Sequence, residues 1–193
     1  MSCSCDNNPL ILPVGATGPQ GPQGEPGFGF EHFVGEELDG GVVFHVYRDS
    51  LGEEHGLICS IINQTISSQY SSIANALAGA NSYWNGPSNT TLLKTQGGIS
   101  GTGAWKYADD YSHGGFTDWY LPSIDELSLL CNNRYNVNKT LSTIVGSTQL
   151  NFFVYWSSTE TDFDQAYAFR FEQGDSYTDN KIDTFAVRAV RQF

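Results

Sequence analysis

The residues able to do chemistry in this chain are not spaced for catalysis. The four histidines, His32, His45, His55 and His113, form no H-x-x-x-H pair, and the sequence has no G-x-S-x-G elbow and no phosphate-binding glycine loop. Cys59 (LICSII) and Cys131 (LSLLCNN) sit in apolar contexts that suit buried reduced thiols, with a disulfide between them left open. Cys3 and Cys5 make a lone C-x-C, either without a role or able to cross-link chains under oxidants. A non-enzymatic protein is expected.

Two features remain as binding candidates. The loop from Asn81 carries Tyr83, Trp84 and Asn85, and an aromatic pair beside an amide suits stacking on a sugar ring if the rings are exposed, or core packing if they are not. The stretch ETDFDQ alternates carboxylates at Glu160, Asp162 and Asp164 as a calcium loop begins, but it lacks the glycine and distal glutamate of an EF-hand. It reads as a solvated acidic edge, as do Asp175, Asp179 and Asp183. No metal site or cofactor is assigned, Ca2+ being the cation such a loop would take. Tyr83, Trp84, Asn85, Asp162 and Asp164 are the ligand-binding candidates.

The net charge of −12 weighs against anionic partners. Setting aside Asp6 and Glu25 leaves 19 of the 21 acidic residues after residue 27, against 9 Lys+Arg. Nucleic acid and anionic membrane call for clustered Lys/Arg, and no basic run exists. No stretch approaches transmembrane length. The opening MSCSCDNNPLILPVG has neither the positive start nor the apolar run of a secretory signal, which points to a protein that stays in the cytosol or leaves by another route, such as phage release by lysis.

The strongest pattern is GATGPQGPQGEPGFGF, with glycine at Gly15, Gly18, Gly21, Gly24 and Gly27 and proline at Pro19, Pro22 and Pro26. A triple helix leaves room at its axis only for glycine, so a strict period of three points to a collagen-like stalk and a homotrimer. A Pro-rich spacer on a non-trimeric chain is the other reading. At about 3.1 Å per residue the run spans on the order of 45 Å, too short to hold three chains together unaided. Phe28, Phe30 and Phe33 follow at once and could form a trimer neck. The expected organisation is a leader at 1–14, stalk at 15–27, neck at 28–37 and head at 38–193.

In the head, GGVVFHVY and HGLICSII read as strands around a polar turn at Asp49–His55. Gln64–Ala78 places Ile66, Tyr70, Ile73, Ala74 and Leu77 at helical spacing. Asn81–Gly103 reads as a long polar loop and Ala104–Tyr111 as a helix. Ser123 with Glu126 three residues on is a capping box, and Thr140–Val145 reads as a short helix. FFVYWSST, QAYAFRFE and TFAVRAVRQF read as strands, with a turn near Gly174–Asp175. Helices between strands at both ends indicate an α+β domain whose termini can share a sheet.

GGVVFHVY with HGLICS, then GGFTDWYLPSIDELSLLCNN, YWSSTE and VRAVR, in this order and spacing, resemble the C-terminal domain family of the Legionella collagen-like adhesin over about residues 38–193. The resemblance implies a C-type-lectin-like head related in shape to phage receptor-binding heads and to formylglycine-generating enzymes, often trimeric and used for attachment. Cys59 and Cys131 match no motif of the enzymes. Trp119, Tyr120, Leu121 and Trp156 are expected in the core, with Ser157 and Ser158 satisfying buried loops. Asp118 is expected to bond backbone near the helix start, and Arg188 and Arg191 to pair with carboxylates. Sulfated polysaccharide, which would need a basic surface, is not carried over to this acidic head. The expectation is a fibre of a phage particle, docked by its N-terminus on capsid or tail proteins, with the head reaching a host cell-surface glycan. A bacterial surface adhesin is the alternative.

Overall fold

GVVFHVYR and EHGLICS are rich in β-branched and aromatic residues and pair as an antiparallel hairpin, β2 (Gly41–Arg48) with β3 (Glu54–Ser60), Val42 facing Cys59 and Tyr47 facing His55. The computed structural model describes residues 29–71, 77–95 and 103–193. The leader with Cys3 and Cys5, the stalk glycines and Phe28 lie outside the described residues.

A short β1 (Glu37–Leu38) and the last strand, β9 (Val190–Gln192), complete a four-stranded sheet in the order β1-β2-β3-β9. The two ends of the head therefore share a sheet, as expected. A second sheet holds β4 (Thr65–Gln69), β8 (Thr184–Val187), β5 (Val154–Glu160), β6 (Gln165–Arg170) and β7 (Asp175–Asn180), in that order. Four helices lie between them in sequence: α1 (Gly86–Thr95), α2 (Ala104–Asp109), α3 (Ile124–Asn132) and α4 (Arg134–Leu141). Among the described residues the fold is thus α+β with two sheets. Leu93, Trp105 and Ala108 of α1 and α2 pack with Trp119 and Trp156, whereas Leu127, Leu130, Val137 and Leu141 of α3 and α4 pack with Val42, Phe44 and Leu57.

Several elements depart from the sequence reading. Gln64–Ala78 does not begin a helix; Thr65–Gln69 is a strand whose partner is β8, and residues 72–76 lie outside the described set. Tertiary bonds outweigh the helical spacing there: Trp156 donates its indole N–H to the Ser68 carbonyl at 2.8 Å, and Tyr70 is buried with its hydroxyl donating to Ser158 O at 3.0 Å. The loop expected from Asn81 contains α1. The short helix lies earlier than Thr140–Val145, at Arg134–Leu141, where buried Val137 and Leu141 outweigh an Asn-rich composition. The polar DSYTDN is an edge strand on β6 rather than turn and acidic cluster alone, and Asp175 pairs with Arg170 at 2.5 Å. TFAVRAVRQF is two strands in two sheets. Gln64 holds the crossing, its Oε1 accepting from the Ala189 backbone N–H at 2.5 Å.

Other expectations hold in whole or in part. Trp119, Tyr120, Leu121, Trp156, Ser157 and Ser158 are buried. Cys59 is buried, Cys131 half-buried, and both are free thiols. Arg191 pairs with carboxylates: its Nε and Nη2 donate to Asp118 at 2.9 and 3.0 Å and its Nη1 to Asp39 at 3.2 Å. Asp118 therefore holds the last strand instead of capping backbone. Arg188 departs from the expected carboxylate pairing: among the described residues it is fully buried and meets no carboxylate, its Nη1 donating instead to Asn63 Oδ1, Thr148 O and Thr148 Oγ1.

The buried polar centre of the second sheet is an ion pair. Lys181 Nζ meets Glu160 Oε1 at 2.8 Å with both side chains withdrawn from solvent, and it also donates to the carbonyls of Asp162 (2.9 Å) and Phe163 (3.4 Å). Glu160 Oε2 accepts the backbone N–H groups of Ala78 (2.9 Å) and Ala80 (3.1 Å). Removing one partner leaves an uncompensated buried charge, so Lys181→Met is expected to lower unfolding free energy by about 3–5 kcal/mol in urea titration, with Glu160→Gln in the same background restoring part of it.

Candidate functional site

The segment Ser82–Asn85 is pinned from several sides. Asn89 of α1 accepts the Ser82 N–H at 3.0 Å and donates its amide to Ser82 O at 2.7 Å, while Thr159 Oγ1 donates to the same carbonyl at 2.9 Å. Asn85 caps α1: its Oδ1 accepts from Ser88 N–H at 3.0 Å, the shape expected of Asn before Gly-Pro at a helix start. Asp125 N–H donates to Tyr83 O at 2.9 Å. With the backbone fixed, the Trp84 indole projects outward, 72% exposed.

Facing it is the start of α3. Ser123 and Glu126 form the capping box anticipated from the sequence: Glu126 N–H donates to Ser123 Oγ, and Glu126 Oε2 accepts from Ser123 N–H at 2.7 Å. Tyr120 also donates its hydroxyl to Glu126 Oε1, at 2.9 Å. Burial pushes the Glu126 carboxyl above the usual range, against the pull of these donors, and burial beside Glu126 pushes the Tyr120 phenol well up. Gly86 is required here, since a side chain on it would strike the Glu126 carboxylate and the Tyr120 ring.

Between these elements lies a cleft of about 480 Å³. His45, Tyr47 and Leu57 come from β2 and β3 and Gln192 from β9; Trp84, Asn85 and Pro87 form one wall, and Asp125, Glu126 and Leu129 of α3 the other. His45 stacks on Tyr47 at 5.8 Å, and Tyr47 lies 5.5 Å from the His55 ring. Burial lowers the His45 pKa, which keeps the imidazole neutral near pH 7. Among the described residues no Lys or Arg lines the cleft.

Of the candidate ligand-binding residues, Trp84 and Asn85 line this cleft. Tyr83, 50% exposed, turns to Tyr167 instead, their hydroxyls 3.0 Å apart. Asp162 is exposed and closes a turn by accepting from the Asp164 and Gln165 N–H groups; neither it nor Asp164 lines the cleft. Glu160 points into the interior toward Lys181, apart from the alternation suggested by ETDFDQ. Among the described residues no group of three or more His, Cys, Asp or Glu could hold a metal ion. His45, Tyr47, Glu126 and Gln192 were not anticipated. The signal for the first two was the alternation in FHVY, which puts residues two apart on one face of a strand.

The segment 29–32 is docked on the end of the β2–β3 hairpin. Glu54 accepts the backbone N–H groups of Glu31 (2.7 Å) and His32 (2.8 Å), Arg48 donates to Gly29 O at 2.9 Å, and its guanidinium lies 5.4 Å from the Phe30 ring centre. Phe30 and Phe33 remain 54% and 64% exposed.

Comparison with known proteins gives a family and a fold neighbour. The model of the Lcl C-terminal domain matches residues 64–191. No curated protein matches the chain. A fimbrial protein from Bacteroides ovatus ATCC 8483, solved by crystallography, is similar with a TM-score of 0.57 at 19% identity, over 78% of this chain and 43% of that one. That likeness is one of fold, and this chain spans less than half the length of the fimbrial protein.

Glu126→Ala strands the Tyr120 hydroxyl and the Ser123 N–H together, and is expected to lower stability by about 1–3 kcal/mol in urea titration. The folded Glu126 holds its proton to higher pH than the unfolded chain does. Wild type should therefore lose stability as pH rises from about 4.3 through the raised folded value, a slope that Glu126→Gln should lack.

Proposed function

Because the chain belongs to the Lcl C-terminal domain family, we propose that it is a non-enzymatic homotrimeric attachment fibre, with a C-type-lectin-like head carried outward on a short collagen-like stalk. The observation that carries this reading is the glycine period from Gly15 to Gly27, which leads directly into a head whose first described residues leave Phe30 and Phe33 open to solvent. A triple helix of this length needs help to stay in register, and three copies of these rings around one axis, with Phe28, would give it. The hydrogen bonds from Glu31 and His32 to Glu54 would transmit that register to the head.

The carrier we propose is a phage particle, with the leader docked on capsid or tail proteins. A bacterial surface adhesin is the second reading, favoured by the fold shared with a fimbrial protein. In either setting the head faces outward. Mass spectrometry of purified virions against that of peptides shaved from intact cells separates the two carriers.

Light scattering on the full chain should give three times the 21.2 kDa chain mass. Gly21→Asp, which places a charged side chain at the crowded axis, should lower the melting temperature of the stalk's circular-dichroism signal. Phe30→Ser with Phe33→Ser should shift the mass toward monomer at micromolar concentration. A wild-type monomer, or a trimer indifferent to all of these substitutions, contradicts the proposal.

A further inference from the structure

We infer that the cleft between Trp84 and Tyr47 binds a neutral saccharide. The inference builds on the proposal that the head faces outward, and it concerns what the head takes hold of. A pyranose has one apolar C–H face and a rim of hydroxyls that both donate and accept, so its site needs an aromatic platform ringed by mixed polar groups. The cleft has both. Trp84 offers an exposed indole on a backbone fixed by Asn89, Thr159 and Asp125, so the platform is ordered before the ligand arrives. Tyr47 offers a second ring, stacked on His45 and in tilted contact with His55.

The rim supplies hydrogen-bonding groups of both kinds. Asp125 is an exposed acceptor on the first turn of α3, the Asn85 amide lies on the opposing wall, and the Gln192 amide comes from β9. His45 stays neutral, so one ring nitrogen donates and the other accepts.

Other ligand classes fit less well. A sulfated or sialylated glycan would bring negative charge to a cleft with Asp125 and no Lys or Arg, on a chain of net charge −12. An apolar peptide segment would leave the rim amides and Asp125 desolvated and unpaired. A cationic ligand could stack on Trp84, but among the described residues Asp125 is the one exposed carboxylate in the lining, since Glu126 is buried and engaged by Tyr120 and Ser123. Three heads on one stalk would present three such clefts, so modest single-site affinity becomes useful avidity on a glycan-covered surface.

The test is a glycan array probed with the full chain, displaying neutral oligosaccharides, sialylated and sulfated glycans, and free-amine glucosamine oligomers. Binding confined to neutral glycans is expected, with Trp84→Ala lowering the signal at least ~10-fold and Tyr47→Ala lowering it less. Trp84 is exposed, so its truncation should leave the circular-dichroism spectrum and melting temperature unchanged, which separates lost binding from lost fold. Binding confined to anionic glycans or to the amine oligomers overturns the inference, as does absence of binding by wild type or neutral-glycan binding indifferent to Trp84→Ala. Mass measured on the same sample keeps the two proposals apart. A trimer that binds no neutral glycan defeats this inference alone, and a monomer that binds through Trp84 defeats the fibre reading alone.

Discussion

The buried pair between Glu160 and Lys181 is the constraint on which the candidate site depends. It joins segments distant in sequence: the end of β5, the chain after β7, the carbonyls of Asp162 and Phe163, and the backbone at Ala78 and Ala80. A charge withdrawn from water is tolerable only when every lone pair and proton finds a partner, so this pair fixes positions more than it adds stability. Glu160 N–H also donates to Ala80 O at 2.7 Å. The chain thus enters Ser82–Asn85 from an anchored point, and α1 and β5 fix its other side. An exposed tryptophan on a loose loop would lose side-chain and backbone entropy on binding; Trp84 has already lost the backbone part.

The opposite wall is tied by Arg191. Its bidentate pairing with Asp118, reinforced by Asp39 and by the Phe116 ring 4.0 Å away, joins the last strand to the segment that leads into α3. Tyr120 and Val190 exchange backbone hydrogen bonds across the same junction at 2.9 and 3.0 Å. Gln192 and Glu126 face one cleft for this reason: the family motifs DWYLPS and VRAVR are one contact seen from two places in the chain. That contact sets where the start of α3 and the end of β9 stand, while the exposed side chains of Trp84 and Tyr47 line the cleft beside them.

What could be read from sequence was local. The capping box at Ser123 and Glu126 specifies itself within four residues, and the hydrophobic density of GGVVFHVY specifies a strand. Elements decided by distant partners were not legible. Ile66, Tyr70 and Leu77 are spaced as on a helix, yet the bonds of Ser68 to Trp156 and of Tyr70 to Ser158 draw Thr65–Gln69 into the second sheet. DSYTDN is too polar to announce a strand, and pairs because β6 offers it an edge. Helix α1 could have been found, since Asn85 before Gly-Pro is a helix-start signal that a glycine- and threonine-rich composition obscured. Trp84 and Asn85 were picked out by residue type. Their company with Tyr47 and Gln192 depends on tertiary structure, as does the separation of Asp162 and Asp164 from them.

The proposed three-chain stalk and a head with a fixed aromatic cleft together describe an object of definite shape. Small-angle X-ray scattering of the full chain in solution tests that description most directly. The account predicts a trimeric particle whose largest dimension exceeds that of its cluster of heads by roughly 45 Å, the length expected of the Gly-X-Y run. A compact particle of single-chain mass, with no extended component, would contradict it.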